Sequence, residues 1–287
     1  MSDTPAPEIL RNNRFPLPRA LEARTRFAWL GPSRVPALLA HPDWQSKAPV
    51  CIWMHGRTVN KELDSGRYLR FIRAGIAAVA LDLPGHGERL IAEYQTGKRT
   101  PEMIAQMVAE LSEVLAALAL PEYAPYFDLS RVAIGGMSAG GMCTLRALCE
   151  PDHTFVCAAV EGTTGDLDTL YRGTPGGPWP AQHEQAAVER VDPSKHLQTF
   201  RPIPVLALHS QADAVVPFAG QAGFIKLLRE HYAAVGANPE LVQLVSWPET
   251  GAPQEHNGFG RVASEAKTAQ VEFLTKWLRA VTPTESF

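Results

Sequence analysis

The stretch Val132-Ala133-Ile134-Gly135-Gly136-Met137-Ser138-Ala139-Gly140-Gly141 decides the fold. An apolar run of strand character ends in a G-x-S-x-G pentapeptide. It passes directly into Met142-Cys143-Thr144-Leu145-Arg146-Ala147-Leu148-Cys149, a mostly apolar helical stretch that stops before Pro151. A serine on so sharp a strand-to-helix turn crowds its neighbours, so the positions two before and two after it, Gly136 and Gly140, have to lack side chains. The serine oxygen then stands clear of the backbone. It lies beside the unpaired N–H groups of a helix start, where the dipole favours developing negative charge. A glycine-serine pattern alone is only a turn; strand before and helix after make Ser138 a candidate nucleophile.

Outward from this turn, strands and helices alternate. Upstream, apolar patterning predicts a hairpin of strands over 24–30 and 35–40 joined at Gly31-Pro32-Ser33, a strand over 49–54, a helix over 63–74 and a strand over 76–81. Around and beyond the turn it predicts a helix over 101–120, strands over 131–135 and 155–160 flanking a helix over 139–149, and a strand over 203–209. A helix over 220–234, a strand over 241–247 and a helix over 262–281 follow. Alternation of this kind implies an α/β fold with a mostly parallel sheet and helices on both faces. The expectation is a single domain over 1–287 with an N-terminal extension, 1–23. Gly173-Thr174-Pro175-Gly176-Gly177-Pro178-Trp179-Pro180 breaks the rhythm and is followed by a helix over 182–191. A connection of this length reads as a small cap, 163–201, over the carboxyl edge of the sheet. Tyr171, Arg172 and Trp179 in it are candidate substrate-binding residues.

Composition narrows the function classes. The chain has 287 residues, 45% hydrophobic and 20% charged, enough for one large core. With a net charge of -3 and scattered Lys and Arg, it lacks the basic surface that tracks phosphates, so no nucleic-acid partner is expected. The first ten residues carry acids and prolines rather than a basic start and an apolar segment, unlike a signal peptide. The longest apolar stretch, 114–120, falls far short of a membrane span. A cytoplasmic protein without membrane association is expected. Cys51, Cys143, Cys149 and Cys157 lack C-x-x-C spacing and read as buried reduced thiols. No H-E-x-x-H or clustered Cys/His pattern occurs, so neither metal nor cofactor is expected.

A serine hydroxyl is a weak nucleophile at neutral pH and needs a histidine to take its proton and a carboxylate to orient that histidine. The strand over 203–209 runs into Ser210-Gln211-Ala212-Asp213, which places Asp213 just past the sheet edge as candidate acid. Glu161 at the end of the preceding strand competes with it, as do Asp166 and Asp168 in the cap. His256 sits in a polar, glycine-rich loop between the strand over 241–247 and the helix after it, where a base is required. His55 precedes Gly56 at a strand end, which lets the Arg57 N–H point into the site beside that of Ala139 as an oxyanion hole. His209, His86 and the remaining histidines read as locally bonded.

Taken in order, Met54-His55-Gly56-Arg57, Leu81-Asp82-Leu83-Pro84-Gly85-His86-Gly87-Glu88-Arg89, Gly136-Met137-Ser138-Ala139-Gly140, Leu208-His209-Ser210-Gln211-Ala212-Asp213-Ala214-Val215-Val216-Pro217 and His256 carry a resemblance. From about residue 49 onward the chain resembles the alpha/beta-hydrolase superfamily, and within it the dienelactone-hydrolase-like and prolyl-oligopeptidase-like serine esterases. The resemblance implies a nucleophile, acid and base in the order Ser138, Asp213, His256. It departs from dienelactone hydrolases proper, which carry cysteine where Ser138 stands, and from the glycine-rich HGGG esterases, since one glycine follows His55. The expected activity is hydrolysis of small-molecule carboxylic esters through an acyl-enzyme. The same groups serve amide hydrolysis, although the region before residue 49 is too short for the propeller of prolyl oligopeptidases. A non-catalytic binding protein on the same fold is the alternative from another class.

Overall fold

Apolar runs bounded by turn residues become strands buried on both faces. In the computed structural model, which describes residues 15–172, 179 and 181–280, eight strands form one sheet. They are β1 (Thr25–Leu30), β2 (Val35–Ala40), β3 (Ala48–Met54), β4 (Ala77–Leu81), β5 (Phe127–Met137), β6 (Cys157–Glu161), β7 (Val205–Ser210) and β8 (Val242–Trp247). Their order is β1-β2-β4-β3-β5-β6-β7-β8. The pairs β1/β2 and β2/β4 are antiparallel, and every other pair is parallel. From β3 the chain moves outward to β4 and then returns to the other side of β3 as β5. This reversal opens a crevice at the carboxyl ends of β3 and β5, where doubly wound sheets bind ligands.

The helices are α1 (Arg19–Glu22), α2 (Ser65–Arg73), α3 (Thr100–Leu118), α4 (Ala139–Ala147), α5 (Leu167–Arg172), α6 (Gln185–Val191), α7 (Phe218–Ala234) and α8 (Ala263–Ala280). Alternating side chains of the strands go to opposite faces. Val50, Ile52 and Met54 join a core with Met103 and Met107 of α3, Met142 of α4 and Phe224 of α7. Cys51 and Trp53 join the other with Tyr68 and Phe71 of α2 and Leu274 and Leu278 of α8. That second face is rich in small residues because Trp53 lies across it: a Cβ on Gly135 would fall 2.8 Å from the indole. The indole N–H of Trp53 donates to Asp64 Oδ2 at 2.8 Å.

Several boundaries differ from the pattern read along the chain. β5 begins at Phe127, because its polar start pairs with Ala48 and Pro49 of β3 before a register shift ahead of Val50. Part of the N-terminal extension belongs to the body, since Leu21 of α1 is fully buried in the α2 core. Between β4 and α3 the chain makes three 3-10 turns, Gly87–Arg89, Ala92–Gln95 and Gly97–Arg99. All four cysteines are free and buried, and burial pushes the Cys51 thiol up to about 12. No helix among the described residues is long and apolar enough to cross a membrane.

Between β6 and β7 lie α5 and α6, within the span expected to form a cap. Asp192 ties them together: its carboxylate accepts the Asp168 N–H and the Ser194 N–H, both at 2.9 Å. Val188 and Val191 of α6 are buried in the same core as α3. Residues 173–178 and 180 of the Gly/Pro stretch lie outside the described residues.

Beneath the carboxyl edge, Arg67 of α2 meets Glu161 of β6 in a bidentate pair, Nη1 to Oε1 and Nη2 to Oε2, both at 2.6 Å. Gln270 of α8 contacts both partners. The guanidinium lies 4.1 Å over the Trp53 ring. Burial pushes the Glu161 carboxyl up, and the adjacent Arg67 charge pulls it back toward ionisation. Removing one partner strands the other charge away from water. Arg67→Met or Glu161→Gln is therefore expected to lower unfolding free energy by about 3–5 kcal/mol. The double variant Arg67→Met/Glu161→Leu should recover a substantial part, read from urea midpoints at constant m-value.

Candidate active site

The turn from β5 to α4 holds Ser138 at φ 53°, ψ -118°, a conformation that costs a non-glycine residue about 1–3 kcal/mol. Backbone bonds hold it there: the Ser138 N–H donates to the Glu161 carbonyl at 2.8 Å, and Thr163 Oγ1 donates to the Ser138 carbonyl at 2.8 Å. The expected role of the two glycines follows from the packing. A Cβ on Gly136 would lie 2.4 Å from the Gly140 carbonyl carbon, and one on Gly140 would lie 2.2 Å from the Met54 carbonyl oxygen.

The structure brings Ser138, His256 and Asp213 together. The Ser138 hydroxyl donates to His256 Nε2 at 2.9 Å, and His256 Nδ1–H donates to Asp213 Oδ2 at 2.8 Å. Asp213 Oδ1 accepts the N–H groups of Val215 and Val216, each at 2.8 Å. Burial resists ionisation of Asp213, yet the bonds from His209, His256 and the Val216 amide prevail and hold its pKa below the ordinary carboxylate value. His209, read as locally bonded, donates from Nε2 to the Val216 carbonyl at 2.9 Å and lies 3.4 Å from Asp213 Oδ2. Glu161 is committed to Arg67 instead of His256. Asp166 accepts the N–H of Thr169 in α5 at 3.0 Å.

The loop that carries His256 is pinned by a residue the chain pattern did not single out. Gln254 and Glu255 both have positive φ, 56° and 52°. Glu255 Oε2 accepts Ser210 Oγ–H and the Thr250 N–H at 2.6 Å and Thr250 Oγ1–H at 2.8 Å, while Oε1 accepts the Gly251 N–H at 2.6 Å. These bonds, the one from Ser210 first, lower the Glu255 pKa to about 2. The available signal was a carboxylate one residue before the loop histidine and five after a threonine.

On the opposite side of Ser138, Gly56 lies against the elbow: a Cβ there would meet Ser138 Cβ at 3.5 Å. His55 sets the orientation of the peptide that follows it. The Leu83 N–H donates to His55 Nε2 at 3.1 Å, which leaves the proton on Nδ1 for the Gly56 carbonyl at 2.6 Å. In a trans peptide the carbonyl and the next N–H point in opposite directions. Fixing the Gly56 carbonyl therefore also fixes the Arg57 N–H, which has no hydrogen-bond acceptor among the described residues. Ala139 opens α4, where an N–H has no helical partner.

These groups face a cavity of about 660 Å³ whose walls include Arg57, Met142, Trp179, Asn257 and Phe259. Of Tyr171, Arg172 and Trp179, singled out for substrate contact, Trp179 lines it. Tyr171 stands behind, buried, with its hydroxyl on Met142 Sδ at 3.0 Å and its ring centroid 4.4 Å from that of Trp179. Arg172 ends α5, and its side chain lies outside the described residues. Among the described residues, no group of three or more His, Cys, Asp or Glu side chains is placed to hold a metal ion.

Because its folded pKa is depressed, Glu255 contributes stability that is complete above the usual glutamate value of about 4.3 and is lost as pH falls through about 2. The Thr250 and Gly251 amides should therefore remain protected from hydrogen exchange at pH 4. In Glu255→Gln, which has only one acceptor oxygen, at least one of these amides should exchange about tenfold faster or more at every pH. Equal protection in the variant would show that the loop holds itself without the carboxylate.

Comparison with known proteins accords with this geometry. The model of the prolyl oligopeptidase family, Peptidase_S9, matches residues 68–281. The "Putative esterase YitV" of Bacillus subtilis (strain 168) is 24% identical over 207 residues, 69% of this chain and 80% of that protein. Among solved structures, TT1662 from Thermus thermophilus superposes with a TM-score of 0.67 at 19% identity, over 90% of this chain and all of that one. A puromycin-hydrolyzing peptidase of Mycobacterium tuberculosis gives 0.66 at 22% identity over 94% of this chain, which spans only 42% of that one. The Pyrococcus furiosus esterase PF2001 gives 0.63 at 16% identity over 92% and 95% of the two chains. The fold is that of an α/β hydrolase, and the family match runs from α2 to the end of α8. By that match the chain belongs to the prolyl oligopeptidase family, and it is a serine hydrolase.

Proposed function

We propose that the protein hydrolyses carboxylic esters of small molecules through an acyl-enzyme. The observation that carries this reading is the unbroken hydrogen-bond chain from Ser138 through His256 to Asp213, with the serine raised on a strained turn at the cavity floor. Ser138 Oγ bonds to the ester carbonyl carbon as its proton passes to His256 Nε2. Asp213 holds the imidazole in the required tautomer and stabilises its positive charge. The N–H groups of Arg57 and Ala139 receive the oxyanion. Collapse of the tetrahedral intermediate breaks the ester C–O bond, and His256 returns the proton to the departing alkoxide. Water, deprotonated by the same histidine, then releases the acid.

The ester preference is supported by the name of the Bacillus subtilis relative; amides are the second reading, because peptidases belong to the same family. A 4-nitrophenyl acyl ester compared with an aminoacyl 4-nitroanilide separates them, and faster turnover of the anilide per bound substrate would overturn the ester assignment. Ser138→Ala should lose about a million-fold in kcat, Asp213→Asn about ten-thousand-fold, and a fluorophosphonate should label Ser138 alone. Near-native ester turnover by Ser138→Ala would remove the serine from the mechanism.

His55 acts through the peptide it pins. In His55→Leu the Arg57 N–H loses its fixed direction, so kcat should fall about tenfold to a hundredfold, less than the loss on deleting an oxyanion donor, while KM changes little. A loss confined to KM would assign His55 to substrate binding instead.

A further inference from the structure

Among the described residues the two buried Lys/Arg side chains, Lys61 and Arg67, and the half-buried Arg89 have carboxylate partners, whereas Arg57 in the cavity wall does not. Lys61 pairs with Asp82 at 2.8 Å and Glu88 at 2.5 Å, Arg67 with Glu161 at 2.6 Å, and Arg89 with Glu110 at 2.7 Å. Arg57 has none among the described residues. Its guanidinium is half-buried in the wall of the cavity that contains Ser138. Nη1 donates to the Gln95 carbonyl at 2.8 Å, and Gln95 is itself held through its side-chain amide to the Gly85 carbonyl at 2.7 Å. The Trp179 ring lies 5.7 Å from the guanidinium carbon. Nε and Nη2 have no hydrogen-bond acceptor among the described residues. The group is thus fixed at one corner, flanked by an indole, and presents unsatisfied donors to the cavity.

Water supplies part of what such a cation lacks, but burial still disfavours its charge and lowers its pKa. The other charges of the cavity do not relieve it. Asp64 and Glu161 both face Arg67, at 3.6 and 2.6 Å. Lys267, also in the wall, adds a second positive charge. The unbalanced charge of the cavity is therefore positive, and its best-fixed element is a planar fork that matches a carboxylate.

We infer that Arg57 binds a carboxylate carried by the substrate, so that the preferred substrates are anionic esters such as half-esters of short dicarboxylic acids. The inference rests on the ester-hydrolase reading of Ser138 and adds the substrate's charge to it. One residue then reads two points of one molecule: its N–H faces the carbonyl oxygen that becomes the oxyanion, and its side chain faces the carboxylate. The two groups must lie within a single arginine's reach, which favours a spacer of a few bonds over a long chain.

The test compares matched ester pairs that differ in one charge. On the acyl side these are 4-nitrophenyl hemiglutarate and 4-nitrophenyl pentanoate; on the alcohol side, 4-acetoxybenzoate and phenyl acetate. The wild type should favour the anionic member of one pair in kcat/KM, and that pair identifies the side on which the carboxylate sits. Arg57→Gln should cut the anionic-to-neutral ratio about tenfold or more, Arg57→Lys should give an intermediate ratio, and Lys267→Gln should retain most of it. The ratio is the readout because the Arg57 main chain also serves the oxyanion. A readout free of turnover comes from calorimetry with monomethyl glutarate: Ser138→Ala should bind it, and Ser138→Ala/Arg57→Gln about tenfold more weakly or not at all. No charge preference in either pair, or a preference that survives Arg57→Gln or disappears with Lys267→Gln, overturns the inference while leaving the hydrolase intact. Failure of the fluorophosphonate to label Ser138 would instead overturn the reading on which it rests, and the calorimetric comparison would still decide whether Arg57 holds a carboxylate.

Discussion

The first turn of α4 is pressed against the end of β3 so closely that Gly140 has no room for a β-carbon beside the Met54 carbonyl. The arrangement of the site follows from that contact. It brings Ala139, at the start of α4, beside the His55-Gly56-Arg57 segment that leaves β3. It also forces the turn between β5 and α4 into a shape that places Ser138 at positive φ. The strain is sustained because the Glu161 carbonyl, Thr163 and the α4 backbone each hold one side of the serine peptide.

Around this contact the protein uses buried charge to position loops. The Arg67–Glu161 pair links α2 to the end of β6, directly beside the elbow. Lys61 and Asp82 link the segment after β3 to that after β4, and Asp82 Oδ1 also accepts the Lys61 N–H. Glu255 performs the same service for the base loop with neutral donors. In each case a carboxylate near the sheet edge accepts several hydrogen bonds at once, which fixes the direction as well as the position of the chain.

Most of the sheet was legible along the chain because parallel strands buried on both faces appear as uninterrupted apolar runs and helices between them carry a different period. β3, β4, β6 and β7 fell within two residues of expectation. The polar start of β5 was not legible, since Asp128, Ser130 and Arg131 satisfy one another locally. Nor were the 3-10 turns after β4, which depend on Arg89 reaching Glu110 and Gln95 reaching Gly85. That Ser138, Asp213 and His256 would stand together was legible because strand ends restrict where such residues can stand. Glu161 competed on the same ground, and only the position of Arg67, 94 residues away in sequence, removes it. That Tyr171 lies behind Trp179 was not legible for a similar reason: composition reveals an aromatic between β6 and β7 but not which side of it faces the cavity.

Ser138 and His256 are 118 residues apart in sequence, and the path between them crosses the sheet through β6, β7 and β8 in succession. Each of those parallel pairings closes a long loop before it gains contacts, the slow kind of step in folding kinetics. The elbow, built from β3, β5 and α4, can form with the earlier part of the chain. His256 reaches it only after β8 has paired and its following loop has closed. During synthesis from the N-terminus, a growing chain that displays Ser138 therefore lacks His256, and the hydrogen-bond chain from Ser138 through His256 to Asp213 closes as a late event of folding.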